Sequence, residues 1–189
     1  MLFHTWTFFV FLLVVVPGLF LLRKTRLWIP WLLLASYVFY GWWNPAYVVL
    51  LLLSICFNYA CGVAIVRSPQ GGTRQRALLI FAVAVDVIVL GWYKYANFFA
   101  AGIGKLSGSE FSLGDIVLPL GISFFTFTQI AYLADVYYGK VRDYNFVRYG
   151  LFVTYFPHLI AGPILHHAEM MPQFARRETG RPSAEDAAV

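Results

Sequence analysis

The chain has 189 residues, of which 60% are hydrophobic, 19% aromatic and only 12% charged, with a formal net charge of +5 and a mean hydropathy of +0.70. A soluble globular chain is nearer half apolar and a quarter charged, so this composition excludes an ordinary soluble domain. The basic residues sit in short segments between apolar runs, where membrane topology explains them better than nucleic-acid binding.

About 20 apolar residues span the hydrocarbon of a bilayer as a helix, and the sequence offers six candidates, at residues 6–22, 27–43, 46–66, 77–97, 116–138 and 147–165. The first is not a cleaved secretory signal. Such a signal carries its basic residues ahead of the apolar core, whereas no Lys or Arg precedes Trp6 here, and Arg23, Lys24 and Arg26 follow the run. The positive-inside rule then holds that end in the cytoplasm and sends the N-terminus out. Arg67, Arg74 and Arg76 follow the third run, and Lys140, Arg142 and Arg148 surround the start of the sixth. That gives nine cations on the expected cytoplasmic side against Lys94 and Lys105 on the other.

Between the second and third runs, Gly41-Trp42-Trp43-Asn44-Pro45 reads as a tight turn, with indole rings suited to the membrane interface and Asn-Pro ending the helix. Cys56 and Cys61, five apart on one helix, are separated by about 140° around its axis. That suits neither a disulfide nor a metal pair, and both read as small buried apolar residues. Asp86 lies near the middle of the fourth run with only apolar residues one turn away. It must therefore meet a partner on another helix, face water or take a proton. Lys94, among Trp92, Tyr93 and Tyr95, reads as a snorkelling interface anchor, with a donor-contact role as the alternative.

In the fifth run Ser123, Thr126 and Gln129 recur every third residue and share one helical face. They either line a reactant path or hydrogen-bond to neighbouring helices, and the second is favoured. Asp135, near the cytoplasmic end of that run, suits an interface pairing with Lys140 or Arg142. The sixth run contains Phe156-Pro157-His158-Leu159-Ile160-Ala161-Gly162-Pro163-Ile164. Proline removes a helix donor, and irregular backbone at depth is tolerated only where it lines a cavity or is buried in protein. Residues 154–165 are therefore expected to enter as a broken or re-entrant element, which returns Arg176, Arg177 and Arg181 to the cytoplasm. His158 either faces a cavity or is a neutral core histidine bonded to a freed carbonyl. His166, His167 and Glu169 lack a clear further ligand for a metal and read as an interfacial polar cluster. His4 reads as an outer-surface residue.

The run from Leu118 to Tyr137, the run from Phe156 to Ile164, the stretch Gly91-Trp92-Tyr93-Lys94-Tyr95-Ala96-Asn97-Phe98-Phe99 and the start Met1-Leu2-Phe3 together resemble the N-terminal part of a bacterial membrane-bound O-acyltransferase. The likeness is to the branch that acetylates alginate and related exopolysaccharides. It covers residues 1–174, leaving 175–189 as a polar tail that reads as a truncated loop.

The resemblance implies an all-α, polytopic transmembrane bundle with about five full spans plus one broken or re-entrant element, in the bacterial inner membrane. It also implies an acyl donor on the cytoplasmic side, acetyl-CoA or a carrier-linked acyl group, with no covalently bound cofactor. A polysaccharide acceptor outside the cytoplasm and periplasmic O-acetylation proteins would be the partners besides the lipid bilayer. The family's catalytic histidine lies downstream of the matched part, so no catalytic residue is assigned here and the chain alone is expected to be inactive. The candidates for a reactant path or cavity are His158, Gln129, Ser123, Thr126 and Asp86, with Lys94 and Asp135 at the interfaces and no metal site. A non-enzymatic scaffold or transporter-like passage is the alternative, since broken helices and buried polar groups suit a transporter too.

Overall fold

A computed structural model describes residues 5–25, 27–42, 44–107, 116–141 and 145–156, with the backbone alone for 103–107. Within them lie six helices and no strand: α1 (Trp6–Leu22), α2 (Trp28–Gly41), α3 (Pro45–Arg67), α4 (Thr73–Ser107), α5 (Ile122–Tyr137) and α6 (Phe146–Thr154). Two of them, α3 and α4, are long and apolar enough to cross a bilayer, and α1 and α2 are shorter apolar helices.

Helix α3 is the centre of the bundle, packed against α2, α4, α5 and α6, while α1 rests on α2 and α6 closes over α2. Its buried residues Leu51, Ile55, Asn58, Gly62 and Ile65 recur at steps of four and three, which form one stripe along a helix. The helix starts where the turn sequence predicts. Asn44 caps it by accepting a hydrogen bond from the Ala46 amide at 3.0 Å, and Pro45 occupies the first helical position, where no amide donor is needed. In α2 the stripe is Trp28, Ile29, Leu32, Ala35, Ser36, Phe39 and Tyr40. Phe39 meets Phe11 of α1 and Phe156 beyond α6, with ring centroids 5.7 and 5.6 Å apart.

Helix α1 is apolar on every side yet buries only Phe11 and Val15, leaving Leu13 73% and Leu21 80% exposed. Helix α4 is also outward-facing, with Ile80, Phe81, Val87, Ile88, Phe98 and Phe99 exposed. Apolar surface on this scale is untenable in water and natural against lipid. The α1–α2 contact is close because Gly18 lacks a side chain: a Cβ there would lie 2.5 Å from Trp31 Cζ2. The Trp31 indole also donates to the Val15 carbonyl at 3.2 Å.

Several boundaries and one burial depart from the sequence expectation. Helix α4 runs well beyond 77–97 at both ends, because nothing from Trp92 to Gly102 breaks a helix strongly enough to stop it. Helix α5 begins at Ile122 rather than 116, since Gly121 sits in the left-handed region at φ 69° and the first turn forms after Pro119. In the sixth run, α6 ends at Thr154 and Tyr155 has left helical geometry at ψ 108°, at the position where the broken element over 154–165 is expected to begin. The rest of that run and the tail, including His158, His166, His167, Glu169, Arg176, Arg177 and Arg181, lie outside the described residues, as do His4, Arg26, Trp43 and Arg142. Cys56 is exposed, not buried, and only Cys61 lies inside.

Candidate functional site

A polar cluster crosses the apolar interior where α3, α4 and α5 meet. Ser54 and Asn58 stand one turn apart on α3 and so project from the same face. Asp86 comes from the middle of α4, and Thr126 and Gln129 come from one face of α5. Asn58 and Gln129 are fully buried and Asp86 is 5% exposed. The Asn58 amide lies 2.9 Å from Asp86 Oδ1 and 2.6 Å from Gln129 Oε1. It also lies 3.1 Å from the Ser54 carbonyl, and the Ser54 hydroxyl donates to Gln129 Oε1 at 2.6 Å. Asn58 is therefore the hub, and it is the cross-helix partner of Asp86 that the sequence left unnamed.

Not every polar atom in the cluster is matched. Asp86 Oδ2, Asn58 Oδ1 and Gln129 Nε2 are buried without a hydrogen-bond partner among the described residues. Interhelical side-chain hydrogen bonds in membranes average about 0.6 kcal/mol, whereas an unmatched buried polar group costs roughly 1–3 kcal/mol. Protein partners among the described residues satisfy only part of the hydrogen-bonding capacity of the cluster. Beside it is a cavity of about 170 Å³, lined by Ser54, Asp86 and Thr126 together with apolar side chains such as Phe57, Val89 and Phe125. The arrangement supplies a carboxylate, two amides and hydroxyls, which can orient a water or a hydroxyl-bearing molecule. It contains no nucleophile paired with a base.

The remaining candidates are placed as follows. Thr126 is buried on the cavity wall, and Ser123 is half-buried one turn before it. Lys94 is exposed, with its ammonium 5.5 Å from the Tyr95 ring centroid. Asp135 is buried at the end of α5, with Oδ1 3.9 Å from the ammonium of Lys140, which is 63% exposed. That pair is made by the backbone. Gly139 at φ 69° lets the Gly139 amide reach the Val136 carbonyl and the Lys140 amide reach that of Asp135, at 3.1 and 2.9 Å. This reversal folds Lys140 back over the last turn. Gly139→Ala is expected to cost about 1 kcal/mol through the left-handed backbone, and Lys140→Gln less, because exposed ion pairs contribute little. Thermal unfolding of the two variants measures the order. Among the described residues no three His, Cys, Asp or Glu gather as metal ligands.

The sequence reading overlooked Ser54 and Asn58. Their signal was available: two polar residues four apart within the apolar run of α3, on the same stripe as Leu51, Ile55 and Ile65.

Known proteins resemble the chain over most of its length. It is 41% identical over 179 residues to the probable alginate O-acetylase AlgI of Pseudomonas aeruginosa, covering 89% of this chain and 34% of that protein. It is 41% identical over 169 residues to the peptidoglycan O-acetyltransferase of Helicobacter pylori, covering 76% of this chain and 32% of that protein. A teichoic acid D-alanyltransferase of Lacticaseibacillus rhamnosus is 25% identical over 132 residues, covering 69% of this chain and 28% of that protein. The chain thus spans about a third of the length of these relatives. No family model and no solved structure matches it.

Proposed function

Over the part it shares with these relatives the chain belongs to the bacterial membrane-bound O-acyltransferases, and on that premise we propose that it serves the transfer of an acetyl group to hydroxyls of a polysaccharide outside the cytoplasm. The observation that carries this reading is the 41% identity to an alginate O-acetylase over 89% of the chain. The chain's share of the reaction is a wall of membrane helices with a polar recess formed by Ser54, Asn58, Asp86, Thr126 and Gln129, beside which a reactant hydroxyl passes. We assign the catalytic base to none of the described residues. The donor is acetyl-CoA or a carrier-linked acetyl group on the cytoplasmic side, and periplasmic proteins hand on or finish the modification.

In this reading the protein sits in the inner membrane with its N-terminus outside, in about five crossings and one interrupted element. The strong bias of Lys and Arg to alternate connections supports that orientation.

The test is to disrupt the coding sequence in its native genome and measure base-released acetate from the cell-surface polysaccharide. A large fall in acetate, restored by the intact gene, is expected. Unchanged acetate, with the chain present in the membrane before disruption, would leave a non-enzymatic scaffold as the better account.

A further inference from the structure

The α3–α4 turn carries a second and larger cavity, a groove of about 570 Å³. Tyr59, Val63 and Ala64 give it an apolar length along α3, and Arg67, Ser68 and Arg74 form its end. From residue 59 to residue 67 a helix rises about 12 Å, so the groove leads from apolar side chains on α3 to two arginines beside the turn. Both arginines are exposed, and no acidic side chain among the described residues pairs with either.

The placement of Arg74 is not explained by helix stability. The first turn of α4 contains no acidic residue, and a cation there opposes the positive end of the helix dipole. The backbone beneath the two arginines is nonetheless firmly held. Ser68 donates through its hydroxyl to the Ala64 carbonyl at 2.9 Å and through its amide to the Ile65 carbonyl at 3.1 Å. The Gly72 amide reaches the Pro69 carbonyl at 3.1 Å, and the side chain of buried Gln75 accepts from the Gly71 amide at 2.9 Å. Two guanidinium groups with no acidic partner among the described residues, one on each side of a firmly held turn, suit phosphate oxygens.

We propose that the groove at the α3–α4 turn binds the phosphate of an anionic glycerophospholipid, with an acyl chain lying along Tyr59, Val63 and Ala64. A hydrated soluble phosphate would use the arginines alone and gain nothing from the apolar wall, whereas a lipid uses both. The turn stands at the end of a membrane-spanning helix and within the most basic class of connections, which places it at the headgroups of the cytoplasmic leaflet. The proposal rests on the membrane reading of α3 and is independent of acetyl transfer.

The test is native mass spectrometry of the full chain released from nanodiscs that contain phosphatidylglycerol and phosphatidylcholine in equal amounts. With about 1 kcal/mol of attraction for each arginine near the headgroups, phosphatidylglycerol should be retained roughly tenfold or more over phosphatidylcholine. The R67Q/R74Q double variant should lose that preference, while R23Q/K24Q at the α1–α2 turn should keep it. Equal retention of the two lipids by the unaltered chain, or a preference surviving in R67Q/R74Q, would overturn the proposal. So would displacement of the lipid by millimolar inorganic phosphate, which would assign the groove to a soluble anion. If circular dichroism shows that R67Q/R74Q does not fold, the two-lipid comparison on the unaltered chain decides alone. Lost lipid preference with normal polysaccharide acetate would count against neither the family assignment nor the proposed reaction.

Discussion

Replacing Asn58 by leucine is expected to destabilise the chain by about 3 kcal/mol, because it leaves the buried Asp86 carboxyl on α4 without its donor and takes from Gln129 on α5 one of two. Asn58 supplies the donor for Asp86 Oδ1 and one of the two donors for Gln129 Oε1. With leucine in its place, Asp86 holds a buried carboxylate with no protein donor among the described residues, its other oxygen being unmatched already. The penalty for stranding such groups exceeds what the bonds contribute while intact. The triple variant N58L/D86L/Q129L, which removes the two amides and the carboxyl together and leaves only the half-buried Ser54 hydroxyl without its acceptor, should therefore regain most of the loss and come within about 1 kcal/mol of the unaltered chain. Reversible unfolding in a denaturing detergent measures the three proteins on one scale. If N58L proves neutral, Asn58 is not the hub its geometry suggests.

The triple variant also separates structure from function. A cluster that serves only to hold helices together can be exchanged for leucines with no effect on polysaccharide acetate, provided the bundle still folds. A cluster that orients a reactant cannot. A stable triple variant with acetate reduced at least tenfold is the expected result, and full acetate from that variant would restrict the recess to a packing role.

The sequence made some of this legible and left the rest hidden for identifiable reasons. Asn44-Pro45 marks the start of α3 because cap and first-turn chemistry is local, and α1 spans the same residues in sequence and structure because its apolar run has sharp ends. The face shared by Thr126 and Gln129 follows from helical periodicity, and both are buried while Phe127 between them points outward. Periodicity gives a face but not what it meets, so the joining of Asp86 to Asn58 could not be read from α4 alone. Apolar character was also a poor guide to inside and outside. A chain bathed in lipid can expose apolar residues at no cost, so Cys56 faces outward and most of α4 lies on the surface. In such a chain the polar residues, rare and costly, mark the interior better than the hydrophobic ones do.

Gly62 is a position where the same interior depends on having no side chain at all, and Gly62→Val is expected to cost about 2–3 kcal/mol. A Cβ at Gly62 would stand 2.9 Å from both Cε1 and Oη of Tyr132. Tyr132 cannot simply swing aside: it is buried, and its ring lies 4.3 Å from that of Tyr149, which in turn stands 5.8 Å from Tyr59. Those rings tie α3, α5 and α6 into one packed layer next to the polar recess. Alanine is the less decisive substitution, since its gain of about 1 kcal/mol in helix propensity over glycine offsets part of the clash. Valine adds two methyl groups to the clash and has little propensity advantage left to offset it. If the close approach is the cause, shrinking the partner should relieve it. The cost of Gly62→Val in a Tyr132→Ala background should fall by at least about 1 kcal/mol, giving strong non-additivity in a double-mutant cycle. Additive costs would show that Gly62 acts through its own backbone, and that α3 and α5 tolerate a wider spacing than their contact at Tyr132 implies.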